Sequence, residues 1–233
     1  IVADAPGRPA PGLLAPTERR RAPATVAVAL QVAQAACAMA GRDPAQLPSV
    51  FASTHGDLAI TDYMCATLAT DATALSPIRF HNSVHNAAAG YWTIGTGCMR
   101  TTTAVSAWTH TFGNALLEVA AQLACEREPV LLVAYDIAAT GPLATMACSD
   151  SVLGLALLLA PTRCDAARAR LRVSRTDSAA SVGGGALCRA LAGNAMAHAL
   201  PLAEALAAAT PTTRVLALDA SAGLQIEVEP CPS

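Results

Sequence analysis

Two stretches, 129–135 (PVLLVAY) and 151–160 (SVLGLALLLA), are apolar at almost every position. A strand with one solvent-facing side alternates polar and apolar residues, so unbroken runs of this length are strands covered on both faces. Helical patterning surrounds them. Helices are expected over 23–40, 57–70, 83–95, 109–125, 186–192 and 195–209, the first with Pro23 in its opening turn and Gly41 just past its end. Shorter strands are expected over 49–53, 101–107, 171–174, 214–219 and 224–229. Helices interleaved with apolar strands make a layered α/β fold. The 233 residues fit one large domain, 23–233, behind an N-terminal arm, 1–22, that is rich in Pro and Gly over its first 16 positions. The chain starts at Ile1 without a methionine and is read as trimmed or renumbered.

Charged residues make up only 14% of the chain against 53% hydrophobic, too little charge to cover an independent surface. Part of the exterior is expected to be buried against a partner, although much of the hydrophobic count is alanine, which surfaces tolerate. The net charge is −2, and the arginines fall in short groups (Arg19, Arg20, Arg21; Arg163, Arg168, Arg170) with no interleaved aromatics. That pattern excludes a nucleic-acid footprint. The eight cysteines form no C-x-x-C pair and sit mostly among apolar neighbours, so buried free thiols in a reducing cytoplasm are expected, without zinc. The uncharged stretch 22–41 is too rich in Ala, Gln and Thr for a membrane span and reads as a buried helix.

Several local signals suggest chemistry. Ser53, His55 and Asp57 stand at alternate positions entering a turn, a contiguity that rarely gives triad geometry. His81 and His85 are four apart, a metal pair only on a helix with a third ligand, and none is evident. Gly183, Gly184 and Gly185 read as a loop before a helix, since no Lys-Ser/Thr follows.

The order Phe51-Ala52-Ser53-Thr54-His55-Gly56, then Leu75-Ser76-Pro77, Asn86 and Ala89-Gly90-Tyr91-Trp92 resembles the N-terminal half of the β-ketoacyl synthases of the thiolase-like superfamily. Ser151-Val152-Leu153-Gly154 matches the strand closing that half. The segment Phe80-His81-Asn82-Ser83-Val84-His85-Asn86 is similar to a compact branch associated with aryl-polyene and xanthomonadin-type pigment pathways. The resemblance implies a thiolase-like layered α/β/α fold with a complete first half, about 23–160, and a reduced second half, about 165–230.

A condensing ketosynthase needs a thiol at the turn where a β-branched strand enters a helix, because the helix N-terminus stabilises the thiolate. Laid on the family pattern, that position falls here on Trp108 or Thr109, and neither supports thiolate chemistry. Of the two histidines the family uses against the malonyl unit, His198 lies in the right region but at the wrong offset from Glu204. The second is replaced by Asp219-Ala220-Ser221-Ala222-Gly223, with no histidine. The resemblance therefore implies a non-catalytic chain-length factor that pairs with an active ketosynthase. It would reach an acyl carrier protein through that complex and shape its acyl tunnel, with no cofactor or metal of its own. Pairing would run through Thr101, Thr102, Thr103, Ala104, Val105, Ser106 and Ala107. The chain-length gate would be Ile60, with Tyr63 and Met64 on the same helix face. Two other readings stay open: an acyltransferase or hydrolase of the same fold using Ser53, Thr109 or His110, and a stabiliser of the ketosynthase without influence on product length.

Overall fold

The computed structural model describes residues 9–146, 149–178 and 183–231. In chain order, the first half carries α1 (Pro16–Arg21), α2 (Ala24–Ala40), β1 (Ser49–Ala52), α3 (Leu58–Thr70), α4 (Pro77–His81), α5 (Ala87–Thr96), β2 (Thr102–Val105), α6 (Thr111–Glu126), β3 (Val130–Asp136) and β4 (Leu153–Leu159). The second half carries β5 (Ala169–Thr176), α7 (Ala186–Ala190), α8 (Leu200–Ala208), β6 (Thr212–Ala217) and β7 (Gly223–Pro230).

The two apolar runs form adjacent strands, but β4, at an end of the sheet, is only half-buried beyond Leu153. β3 is buried along its whole length. It pairs in parallel with β1, and β1 in parallel with β2, while β4 runs antiparallel on the other side of β3. One face of this sheet is covered by α2 and α5, where Trp92, Phe51, Leu30 and Leu131 are sealed from solvent. Gly41 ends α2 in the left-handed conformation (φ 59°), the C-terminal geometry glycine adopts without steric cost. Within the expected arm, the described part is not simply extended. Pro16–Arg21 is helical, and Leu14 and Ala22 are buried against α2.

The other face of the first sheet packs on α6, and the far side of α6 meets β6 and β7 of a second, antiparallel sheet ordered β5-β7-β6. Phe112, Leu116, Leu132, Ile226 and Leu224 fill the space between. The approach is close: a Cβ on Gly113 would lie 2.4 Å from the Ala217 carbonyl oxygen. The second half is reduced in a physical sense. On the outer face of its sheet Arg170 opposes Glu229 and Arg172 opposes Glu227, the latter pair bonded at 3.0 Å, where a helix-covered face would be apolar.

The cysteines depart from expectation. Cys37 and Cys98 are buried, but Cys65, Cys125 and Cys164 are exposed. Apolar sequence neighbours on a helix do not share its face, so Cys65 points outward from α3.

Glu204 on α8 organises the second half by accepting from the backbone N–H groups of Gly185, Leu187 (2.8 Å) and Cys188 (3.1 Å) and from the Cys188 thiol (3.1 Å). The thiol first, then the Gly185 N–H, hold its pKa down at about 2. Burial, and then Glu204 itself, push the Cys188 thiol up to about 11. A carboxylate with a depressed folded-state pKa contributes fully above its unfolded value and loses that contribution as pH falls through the folded value. The α7 cap is therefore expected to persist through mildly acidic pH and to release toward pH 2. At pH 8.5 Cys188 is expected to alkylate more slowly than Cys65. Glu204→Gln should speed Cys188 and leave Cys65 unchanged, as peptide mapping after timed iodoacetamide labelling would show.

Candidate functional site

The strand-to-helix turn is built by a short hydrogen-bonded circuit. β2 ends at Val105. The Ala107 N–H then donates to Thr111 Oγ1 (3.0 Å), and that hydroxyl donates to the Trp108 carbonyl (2.6 Å). Residues Trp108–His110 form one 3-10 turn before α6. Of the two positions left open by the sequence, Trp108 takes φ 52°, the left-handed region, at the apex of the turn, and Thr109 follows it within the same 3-10 turn. A bulky residue there is strained, and strain of this kind is held where the surrounding structure over-determines it. The indole is 52% exposed, with its ring against the edge of His55 at 5.1 Å between centroids.

Behind the apex, Thr109, Gly113, His198, Pro201 and Leu216 line a small open cleft of about 50 Å³. His198, which the sequence placed at the wrong offset, lines the same cleft as Thr109. Burial first, and neighbouring His110 second, push its pKa below the ordinary histidine range, so it is neutral at pH 7. The segment from Asp219 to Gly223, where the sequence reading expected the second family histidine, is a closed turn. Asp219 accepts from Ser221 N (2.6 Å), Ala222 N (2.8 Å) and Ser221 Oγ (2.9 Å), saturating the loop with its own backbone.

The Ser53, His55 and Asp57 side chains diverge. The Ser53 hydroxyl, fully buried, donates to Asp136 Oδ1 (2.7 Å). His55 turns to Trp108. Asp57 caps α3 by accepting from Ile60 N (3.1 Å) and takes the Thr25 hydroxyl (3.0 Å). His81 ends α4 and lies against the Tyr91 ring, whereas His85 lies beyond the helix with Nε2 2.8 Å from the Ser53 carbonyl oxygen. They share no helix face on which to bind a metal. The residue the sequence reading missed is Asp136. Its only signal is an acid closing an otherwise apolar run.

On α3, Ile60 is buried and Tyr63 and Met64 are half-buried. Tyr63 is tied forward: its hydroxyl accepts from Ser76 N (3.1 Å), and the Arg79 guanidinium sits 4.2 Å over its ring. Leu68, Ile78 and Phe80, on α3 and the adjoining α4, are exposed. Of the expected pairing segment, Thr102–Val105 form β2, the end strand of the first sheet. Thr101 and Ala107 lie outside the strand, and the Ser106 hydroxyl donates to the Thr54 carbonyl (2.9 Å). No helix among the described residues is long and apolar enough to cross a membrane.

A family model described as the β-ketoacyl synthase N-terminal domain matches residues 2–217. Among solved structures, a ketosynthase in complex with its chain length factor from Xenorhabdus doucetiae is similar at 19% identity and TM-score 0.70, over 92% of this chain and 81% of that one. The ishigamide ketosynthase/chain length factor is similar at 16% identity and TM-score 0.65, over 97% of this chain and 86% of that one. A β-ketoacyl synthase from Burkholderia phymatum is more distant, at 13% identity and TM-score 0.50 over 62% of this chain and 38% of that one. At these identities the likeness is one of fold. No curated protein matches the chain.

Proposed function

The chain belongs to the β-ketoacyl synthase family, and on that premise we propose that it is a non-catalytic chain-length factor for an active ketosynthase in polyene-type biosynthesis. The observation that carries this reading is Trp108 at the strained apex of the turn, where a condensing enzyme needs a thiolate. An indole does not add to an acyl thioester. The described thiols do not take its place: Cys98 lies before β2 with its Sγ 3.5 Å from the Leu47 carbonyl oxygen. The likeness to two solved ketosynthase and chain-length-factor assemblies supports the same role. Acyl transfer and condensation would then belong to the heterodimer, with the partner supplying the nucleophile.

Incubated alone with acyl- and malonyl-carrier protein, the chain is expected to give no acyl-protein and no carbon dioxide. Trp108→Cys is expected to leave it inactive, because the saturated Asp219 turn still offers no second histidine. Stable acylation of any side chain of the wild-type protein would overturn the reading.

One observation favours the enzymatic alternative: Thr109 and a neutral His198 share the cleft behind the turn, a hydroxyl beside a base. Release of acid from acyl thioesters by the isolated chain, abolished in both Thr109→Val and His198→Ala, would install that alternative instead.

A further inference from the structure

Asp136 ends β3 with its side chain 2% exposed, and among the described residues no ion pair reaches it. Its donors all come from the segment leaving β1. Ser53 Oγ donates to Oδ1 (2.7 Å), and the Thr54 N–H is shared between Oδ2 (3.0 Å) and Oδ1 (3.2 Å). The Ser53 hydroxyl is held from both sides, since it also accepts from the Gly56 N–H (2.9 Å), and Gly56 takes φ 66° to make the turn. The next residue, Asp57, caps α3. His55, between these anchors, is delivered to the Trp108 ring. A buried carboxylate is costly, and burial raises its pKa against the opposing Ser53 and Thr54 hydrogen bonds and the nearby His55, so a core without a positional task would favour an apolar residue here.

We propose that Asp136 is a positioning residue: by fixing Ser53 and Thr54 it sets both the His55 contact on Trp108 and the point from which α3 carries Ile60. Both oxygens take part, with Oδ2 making the shorter of the two bonds from the Thr54 N–H. An asparagine keeping its oxygen toward Ser53 would turn its NH₂ toward the Thr54 N–H, setting donor against donor. The consequence for product length rests on the chain-length-factor reading, whereas the local geometry does not.

The test is hydrogen exchange by mass spectrometry on the full chain, alone and with its ketosynthase, together with the product lengths of the complex. In Asp136→Asn and Asp136→Ala, exchange over 53–60 is expected to rise at least tenfold, while α2 and β4 keep wild-type rates and the products spread over more lengths. Ser53→Ala, which deletes only the intervening hydroxyl, is expected to give the same local pattern and carries the test where Asp136→Ala does not fold. Unchanged exchange over 53–60, or a rise shared equally by α2 and β4, would show a merely structural role and overturn the proposal. Faster local exchange with wild-type product lengths would support Asp136 as a positioning residue and overturn the assignment of α3 to chain length.

Discussion

Coexpressed with its ketosynthase, the wild-type chain is expected to emerge as a one-to-one complex, and Ala104→Pro is expected to abolish that complex while leaving the fold intact. The choice of residue follows from the ladder. Ser49 N donates to the Thr101 carbonyl and Ser53 N to the Val105 carbonyl. In a strand, a residue's N–H and C=O point to the same side and alternate along the chain. Positions 101, 103 and 105 therefore face β1, and Thr102 and Ala104 direct their groups away from it, off the end of the sheet. Proline at Ala104 removes an outward donor without touching the internal ladder, which is where an edge strand tolerates it. An obligate interface buries on the order of 2,000 Å² or more, and the chain's low charge fits a surface meant to be covered. Alone, the wild-type chain is expected to self-associate through the open edge, and Ala104→Pro should reduce that too. Native mass spectrometry reads both effects. A proline variant that pairs as tightly as wild type would remove β2 from the interface.

Much of this architecture could be read from the chain because its signals are local. The two apolar runs announced strands, although only β3 is covered along its whole length and β4, at the sheet's end, is half-buried. Gly41 marks the end of α2 and Asp57 the start of α3 because each supplies something only that position needs: a left-handed residue, and a side chain for an orphan N–H. What stayed hidden is spatial. Sequence spacing gave no sign of the left-handed dihedral at Trp108, because the Thr111 hydroxyl that bonds back into the turn acts in space and leaves no pattern along the chain. The offset of His198 along the chain gave no hint that it lines one cleft with Thr109, since α6 is clasped between two sheets and draws the second half onto the first. Asp136 looked like an ordinary strand terminus, because its partners lie more than eighty positions away in the chain. Exposed Cys65 and Cys125 show the same limit: neighbours along a helix do not report which way a side chain faces.

Truncating Ile60 is expected to lengthen the product while the heterodimer stays assembled. Ile60 lies one turn into α3, buried, with Asp57 accepting its N–H, so its backbone is held independently of its side chain. Removing the side chain thus opens volume without releasing the helix. Met64 follows one turn later on the same face and should act in the same direction, more weakly, since it is half-buried and flexible. Tyr63 separates two roles. Its hydroxyl and ring bind the segment from Ala74 to Arg79, so Tyr63→Phe should cut the bond to Ser76 N and loosen that segment with little effect on length. Tyr63→Ala should do both. An ordinary core role predicts otherwise. Ile60→Ala would then cost about 2–5 kcal/mol, lose the complex, and leave the lengths made by any surviving complex unchanged. Chromatography of the complex's acyl products, run beside the melting temperature of each purified complex, distinguishes the two. Longer products at an unchanged melting temperature place the gate at Ile60, and wild-type products from intact Ile60→Ala and Met64→Ala complexes place it elsewhere.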